Sequence, residues 1–165
     1  MEHGPAAVTI ADIARRADMT VAAVYYHFPS KTDVLQELVE AIGERVVALF
    51  PPPAPRTRVD LAAWLGERHD AVARWRTDDA QAAALYLTAS AGFSPAIEAV
   101  RRRQRREMVV AAAEAVSRAG LRRRHVEAHV IALGLLCLLL DTVMEAPAPR
   151  QTVVDVGLRL AGVAA

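Results

Sequence analysis

The sequence predicts an all-α protein, and three observations carry that prediction. Apolar residues recur with a 3.6-residue period in one segment after another. Threonine, serine, proline and glycine stand where those segments start and stop. Residues 9 to 31, TIADIARRADMTVAAVYYHFPSK, hold two short helical patterns across a tight turn, followed by an aromatic and basic patch. That last stretch reads as a helix-turn-helix.

In the first pattern Thr9 stands in the N-cap position, and Ile10, Ile13, Ala14 and Ala17 form an apolar stripe that leaves Asp12, Arg15 and Arg16 outside. Asp18-Met19 ends it. Thr20 is a second N-cap, before a helix from Val21 to about Tyr26 that is too short to be stable without packing. Small Ala14, Ala17, Ala22 and Ala23 let the two helices cross closely, so that the second can project into a major groove.

T-I-A-D-I-A-R-R-A, the three-residue turn, and V-Y-Y-H-F-P-S-K running into T-D-V-L resemble the TetR-type one-component transcriptional regulators. The resemblance covers about 25 residues closely, and the remainder only as a helical array. It implies that Tyr25, Tyr26, His27 and Lys31 contact DNA, mostly its phosphates, with Thr9 and Thr20 at helix N-termini doing likewise. Phenol hydroxyls, an imidazole, an ammonium and helix N-termini are phosphate donors on chemical grounds as well. Val21, Ala22 and Ala23 stand where the resemblance puts base-contacting side chains. None can make the bidentate bonds that Arg, Gln or Asn make to base edges, which leaves thymine methyls, Tyr25 and DNA shape.

The resemblance divides the chain into residues 1–50, a helix-turn-helix DNA-binding domain with its connecting helix, and 56–165, a C-terminal helical ligand-binding and dimerisation domain. It also implies a full helix before the motif. Only E-H-G-P-A-A-V precedes Thr9, so most of the first helix reads as missing: either the start lies further upstream, or the helix is truncated, and in that case Ile10, Ile13, Val24 and Phe28 are expected to lose packing partners.

Whole-chain numbers agree with a local nucleic-acid site. Net charge is +1, and within residues 1–31 Arg15, Arg16 and Lys31 balance Glu2, Asp12 and Asp18. Each head is therefore expected to bind weakly alone, and a dimer is needed. One cysteine, Cys137, excludes an intramolecular disulfide and fits a cytoplasmic protein. The longest apolar run, Val130 to Leu140, is shorter than the roughly 20 residues of a membrane span.

After Ser30, a long helix from Lys31 to Leu49 joins head to body, and prolines 51–53 and 55 stop it. A helix from Thr57 to Arg76 aligns Leu61, Trp64, Leu65, Arg68, Val72 and Trp75. Asp78-Asp79 starts another, to about Ala91, ended by Gly92. Ser94-Pro95 starts a helix to Gly120, with Ile97, Val100, Gln104, Met108, Ala111 and Ala115 inward. Its arginines at 101, 102, 103, 105 and 106 are read as a solvated opposite face. The helix from Arg124 to Glu145 is apolar nearly all round and needs a cover on every side. A last helix runs from Thr152 to about Val163.

Trp64, Arg68, Trp75, Tyr86, Phe93, Gln104 and Met108 are candidates for an effector pocket, with plain core as the competing reading. The last two helices are expected to pair in a homodimer through Leu133, Leu136, Leu140, Val154 and Leu158. The expected partners are thus an operator in double-stranded DNA, a small-molecule effector and a second copy. His125 and His129 share a helix face without an evident third ligand, so no metal is expected, and no cofactor. No catalytic grouping stands out, and the chain is not read as an enzyme. Two other readings predict different things. A dimeric ligand-binding or interaction protein whose head has lost specific DNA binding is one; an α-helical metal enzyme at His125 and His129 is the other.

Overall fold

The computed structural model describes residues 6–51, 56–119, 125–145 and 148–162. The expectations for residues 2–5, for the prolines after Pro51 and for Gly120 lie outside them. Among the described residues there are eight α-helices, one π-turn and no strand.

The head is α1 (Ile10–Arg16) and α2 (Val21–His27). Thr9 and Asp12 form a reciprocal cap: the Thr9 hydroxyl accepts from the Asp12 amide at 3.1 Å, and the Asp12 carboxylate accepts from the Thr9 amide at 3.1 Å. Thr20 caps α2 through the Ala23 amide at 3.1 Å. Between the helices Asp18 takes a left-handed φ of 54°, which lets the Met19 amide return to the Ala14 carbonyl at 2.9 Å. Ile10, Ala14 and Val24 are buried, with Ile13, Phe28 and Val34 half covered around them. Ile10 and Val24 thus keep their cover, contrary to the expectation of lost packing, because α1, α2 and the start of the next helix close on one another. Ile13 and Phe28 remain partly open.

Helix α3 (Lys31–Ala48) belongs to both parts. Val34 packs on the head, whereas Leu35, Val39, Ile42 and Val46 enter the main core. The body follows as α4 (Arg58–Asp78), α5 (Ala80–Ala84), the π-turn Leu85–Ala89, α6 (Pro95–Arg118), α7 (His125–Glu145) and α8 (Arg150–Leu160). Helix α6 packs on α3 and α7, and α4 packs on α8. The predicted single helix after Asp79 is broken: its second half widens into the π-turn, where the Ser90 amide reaches the Leu85 carbonyl at 3.0 Å. Helix α8 begins two residues earlier than predicted. Its entry is held by His69 Nε2 at 3.1 Å from the Ala148 carbonyl and by Arg150 Nε donating to Asp70 Oδ2 at 3.0 Å.

A close joint lies between α3 and α6. Gly43 has no side chain, and the Gln104 amide occupies the place where a Cβ would stand. Gln104 is 2% exposed, yet both ends of its amide are satisfied. Nε2 donates to the Glu40 carbonyl at 3.1 Å, and Oε1 accepts from the Tyr86 hydroxyl at 3.0 Å. Beside it Arg103 pairs with Glu40, and Arg45 reaches Asp79, the cap of α5, at 3.1 Å.

Gly43→Ala is expected to lower stability by about 1–3 kcal/mol, the range for overpacking, with part of that loss recovered when Gln104→Ala is added. Urea unfolding of the two single variants and the double variant checks it; strictly additive losses would contradict the contact.

Candidate nucleic-acid interface

Helix α2 presents Val21, Ala22, Tyr25, Tyr26 and His27 to solvent, and Tyr26 is 85% exposed. A large aromatic so open on a small helix has no packing role in the protomer. Tyr26 meets the His27 ring edge-on at 5.1 Å, and His27 lies 6.4 Å from Phe28. The head core holds Val24 and leaves Tyr25 and Tyr26 turned away from it. Ala23 is half-buried, its amide taken by Thr20. That bond uses Thr20 as acceptor, so its hydroxyl hydrogen remains available to donate.

Two of the expected phosphate donors are partly engaged within the head. The Thr9 hydroxyl donates to Asp12 Oδ2 at 2.6 Å as well as accepting the Asp12 amide, so in this arrangement Thr9 is occupied as a cap. Lys31 Nζ donates to the Ala6 carbonyl at 2.7 Å, which leaves two of its three hydrogens for another acceptor. Hydrogen bonds from Thr9, with a smaller contribution from Arg15, hold the Asp12 carboxyl below its ordinary range. Asp12 and Arg15 also form an ion pair at 2.7 Å.

The seven expected effector residues do not line one cavity. Trp64, Trp75, Tyr86, Gln104 and Met108 are buried, and Arg68 and Phe93 are half-buried. Trp75 packs edge-on against Tyr86 at 6.5 Å, Tyr86 bonds Gln104, and the Arg68 guanidinium lies 5.9 Å from the Trp64 ring centre. Among the described residues Trp64 Nε1, Arg68 Nε and Trp75 Nε1 are buried donors without a partner, each costing about 1–3 kcal/mol. Tyr86 and Met108 alone of the seven line a 190 Å3 cavity between the π-turn, α6 and α7.

That cavity contains residues missed in the sequence. Arg101 does not lie on a solvated opposite face: Nη1 bonds the Tyr86 carbonyl and, at 2.7 Å, Ser90 Oγ, while the guanidinium sits 5.5 Å from the Tyr86 ring centre. The signal was available, since Arg101 stands one helical turn after buried Ile97, only about 40° from it at 100° per residue. Arg103 likewise turns to Glu40 on α3.

Of the expected interface residues, Leu136, Val154 and Leu158 are buried in the protomer's own core, and Leu133 and Leu140 are half-buried. The outer apolar surface of the last two helices is instead drawn by Val130, 62% exposed, and Leu160, with Gly134 between them. The His125 side chain lies outside the described residues, and His129 is exposed. Among the described residues no three His, Cys, Asp or Glu side chains group around a common point, and no helix is long and apolar enough to cross a membrane.

A family model described as bacterial regulatory proteins, tetR family, matches residues 1–38. Three solved structures share the fold along nearly the whole chain. A TetR/AcrR family transcriptional regulator from Thermobifida fusca is 27% identical, with a TM-score of 0.60 over 97% of this chain and 88% of that one. The TetR family transcriptional regulator PfmR from Thermus thermophilus is 18% identical, with a TM-score of 0.63 over 98% and 91%. A protein from Pseudomonas aeruginosa is 19% identical, with a TM-score of 0.75 over 98% and 82%. No curated protein sequence matches the chain.

The cap of α1 has a pH signature. Because the folded-state Asp12 carboxyl is held below its ordinary 3.8, its contribution is present above that value and is lost as pH falls through the lowered folded one. Asp12→Asn is therefore expected to melt below wild type at pH 7, with the gap closing on acidification below the carboxylate range; a pH-independent gap would contradict this.

Proposed function

With a TetR-type helix-turn-helix transcriptional regulator as the premise, we propose that the chain is a repressor that acts in the cytoplasm as a homodimer. Its two heads occupy successive major grooves of a palindromic operator and leave when a small effector binds the body and changes their separation. The observation that carries this reading is the outward face of α2, where Val21, Ala22 and Tyr25 share one side and Tyr26 flanks them. Val21, Ala22 and Ala23 read bases by apolar contact, and Tyr25, Tyr26, His27, Thr20 and Lys31 hold phosphates. The exposed strip of Val130, Gly134 and Leu160 supports pairing with a second copy.

One observation favours a second reading. The head carries balanced charge, and Thr9 and Lys31 are already engaged, which suits a dimeric ligand-binding protein without specific DNA affinity.

A salt-dependent titration on DNA from upstream of the protein's own gene, against scrambled DNA, separates the two. Tyr26→Ala is expected to weaken specific binding about tenfold or more, as for a hydrogen bond to a charged group worth about 1.5–3 kcal/mol. Lys31→Ala is expected to reduce the salt slope by about 1. Equal affinity for both DNAs, unchanged by either substitution, would sink the repressor reading.

A further inference from the structure

The 190 Å3 cavity between the π-turn, α6 and α7 has an unbalanced lining. Among the described residues Arg101, Arg102 and Arg105 line it, with Glu98 as the one carboxylate, while Met108, Leu136 and Leu140 supply apolar surface. Arg101 is anchored by the Tyr86 carbonyl, Ser90 and Glu98, and Arg102 Nε donates to the Glu98 carbonyl at 3.2 Å. Arg105 is different. Among the described residues its Nη2 meets only the Cys137 sulfur, at 3.5 Å, a weak acceptor for a group with five donors. A π-turn forms one wall, and such turns recur at functional sites.

We propose that this cavity binds a small organic monoanion, its carboxylate on Arg105 and Arg102 and its apolar body against Met108, Leu136 and Leu140. Guanidinium matches carboxylate in planar, bidentate fashion, so the anion takes up donors that the protein leaves open. The volume lies below the roughly 300–1,000 Å3 of drug-sized sites, which limits the ligand to a small acid. As an effector site this assignment rests on the repressor reading; as a binding site it does not. The wall residue Tyr86 bonds Gln104, which is seated on α3 at Gly43, so an occupant touches the joint that carries the head.

The chain's two tryptophans provide the readout, since Trp75 packs on Tyr86. The full-length protein is titrated with benzoate and hexanoate, with benzamide as neutral isostere, following tryptophan emission. Saturable change with at least one of the two anions and none with benzamide is expected, weakened about tenfold or more by Arg105→Gln, as for a lost charge-assisted bond. Arg105→Gln is checked by melting, and Arg106→Gln, which lies outside the cavity lining, keeps wild-type affinity. No saturable response to either anion, an equal response to benzamide, or full affinity in folded Arg105→Gln overturns the site. Adding the bound anion to the protein–DNA complex tests the other reading separately. A loosened complex supports the effector role, whereas saturation without change in DNA affinity leaves the site standing and overturns that role.

Discussion

The head is attached to the body through one helix, which buries Leu35, Val39, Ile42 and Val46 in the core and meets one buried side chain at its closest approach. Gln104 fits α3 at Gly43, where any larger residue would exclude it, and binds the Glu40 carbonyl and the Tyr86 hydroxyl at once. Burying an amide is tolerable only because both of its ends are satisfied. The consequence is mechanical. α3 is held to α6 and to the π-turn by the same group, with Arg103–Glu40 and Arg45–Asp79 on either side. In the proposed reading, a shift of Tyr86 or α6 would be passed through Gln104 to the helix that carries the head.

The head itself has little to spare. Its core is Ile10, Ala14 and Val24 with three half-covered neighbours, and its charge is balanced. In the proposed reading, affinity for a polyanion would depend on helix N-termini, phenol and hydroxyl donors and the few cations Arg15, Arg16 and Lys31, rather than on a dense cationic surface. In that reading, such a head would gain specificity from position and from pairing two copies rather than from the strength of one. The exposed apolar strip on α7 and α8 is consistent with that logic.

Local chemistry made much of the fold legible in the sequence. Thr9, Thr20, Ser30 and Ser94 cap the helices they were expected to start, because an N-cap depends on a side chain and amides two or three residues away; Thr57, read as the first helical residue, is the cap of α4. The outward face of α2 was readable for the same reason. What was not readable depends on elements far apart in sequence. The π-turn at Leu85–Ala89 reads as ordinary helix in the sequence, and what distinguishes it is the Ser90 amide reaching back to the Leu85 carbonyl. Gly43 gave no sign that Gln104, some sixty residues later, would fill its place. That Leu136 on α7 and Val154 and Leu158 on α8 are buried within the protomer depends on the packing of α6 on α7 and α4 on α8, which the sequence does not show.

The central claim is that α2 reads a specific duplex as one of two symmetric heads. Selection of the full-length protein against a random double-stranded DNA pool, followed by sequencing of the bound fraction, tests it most directly. The account predicts an enriched two-fold symmetric site whose half-sites lie about one helical turn or a multiple apart. Recovery of a pool with no enriched sequence, or of a single asymmetric site bound by one protomer, would contradict it.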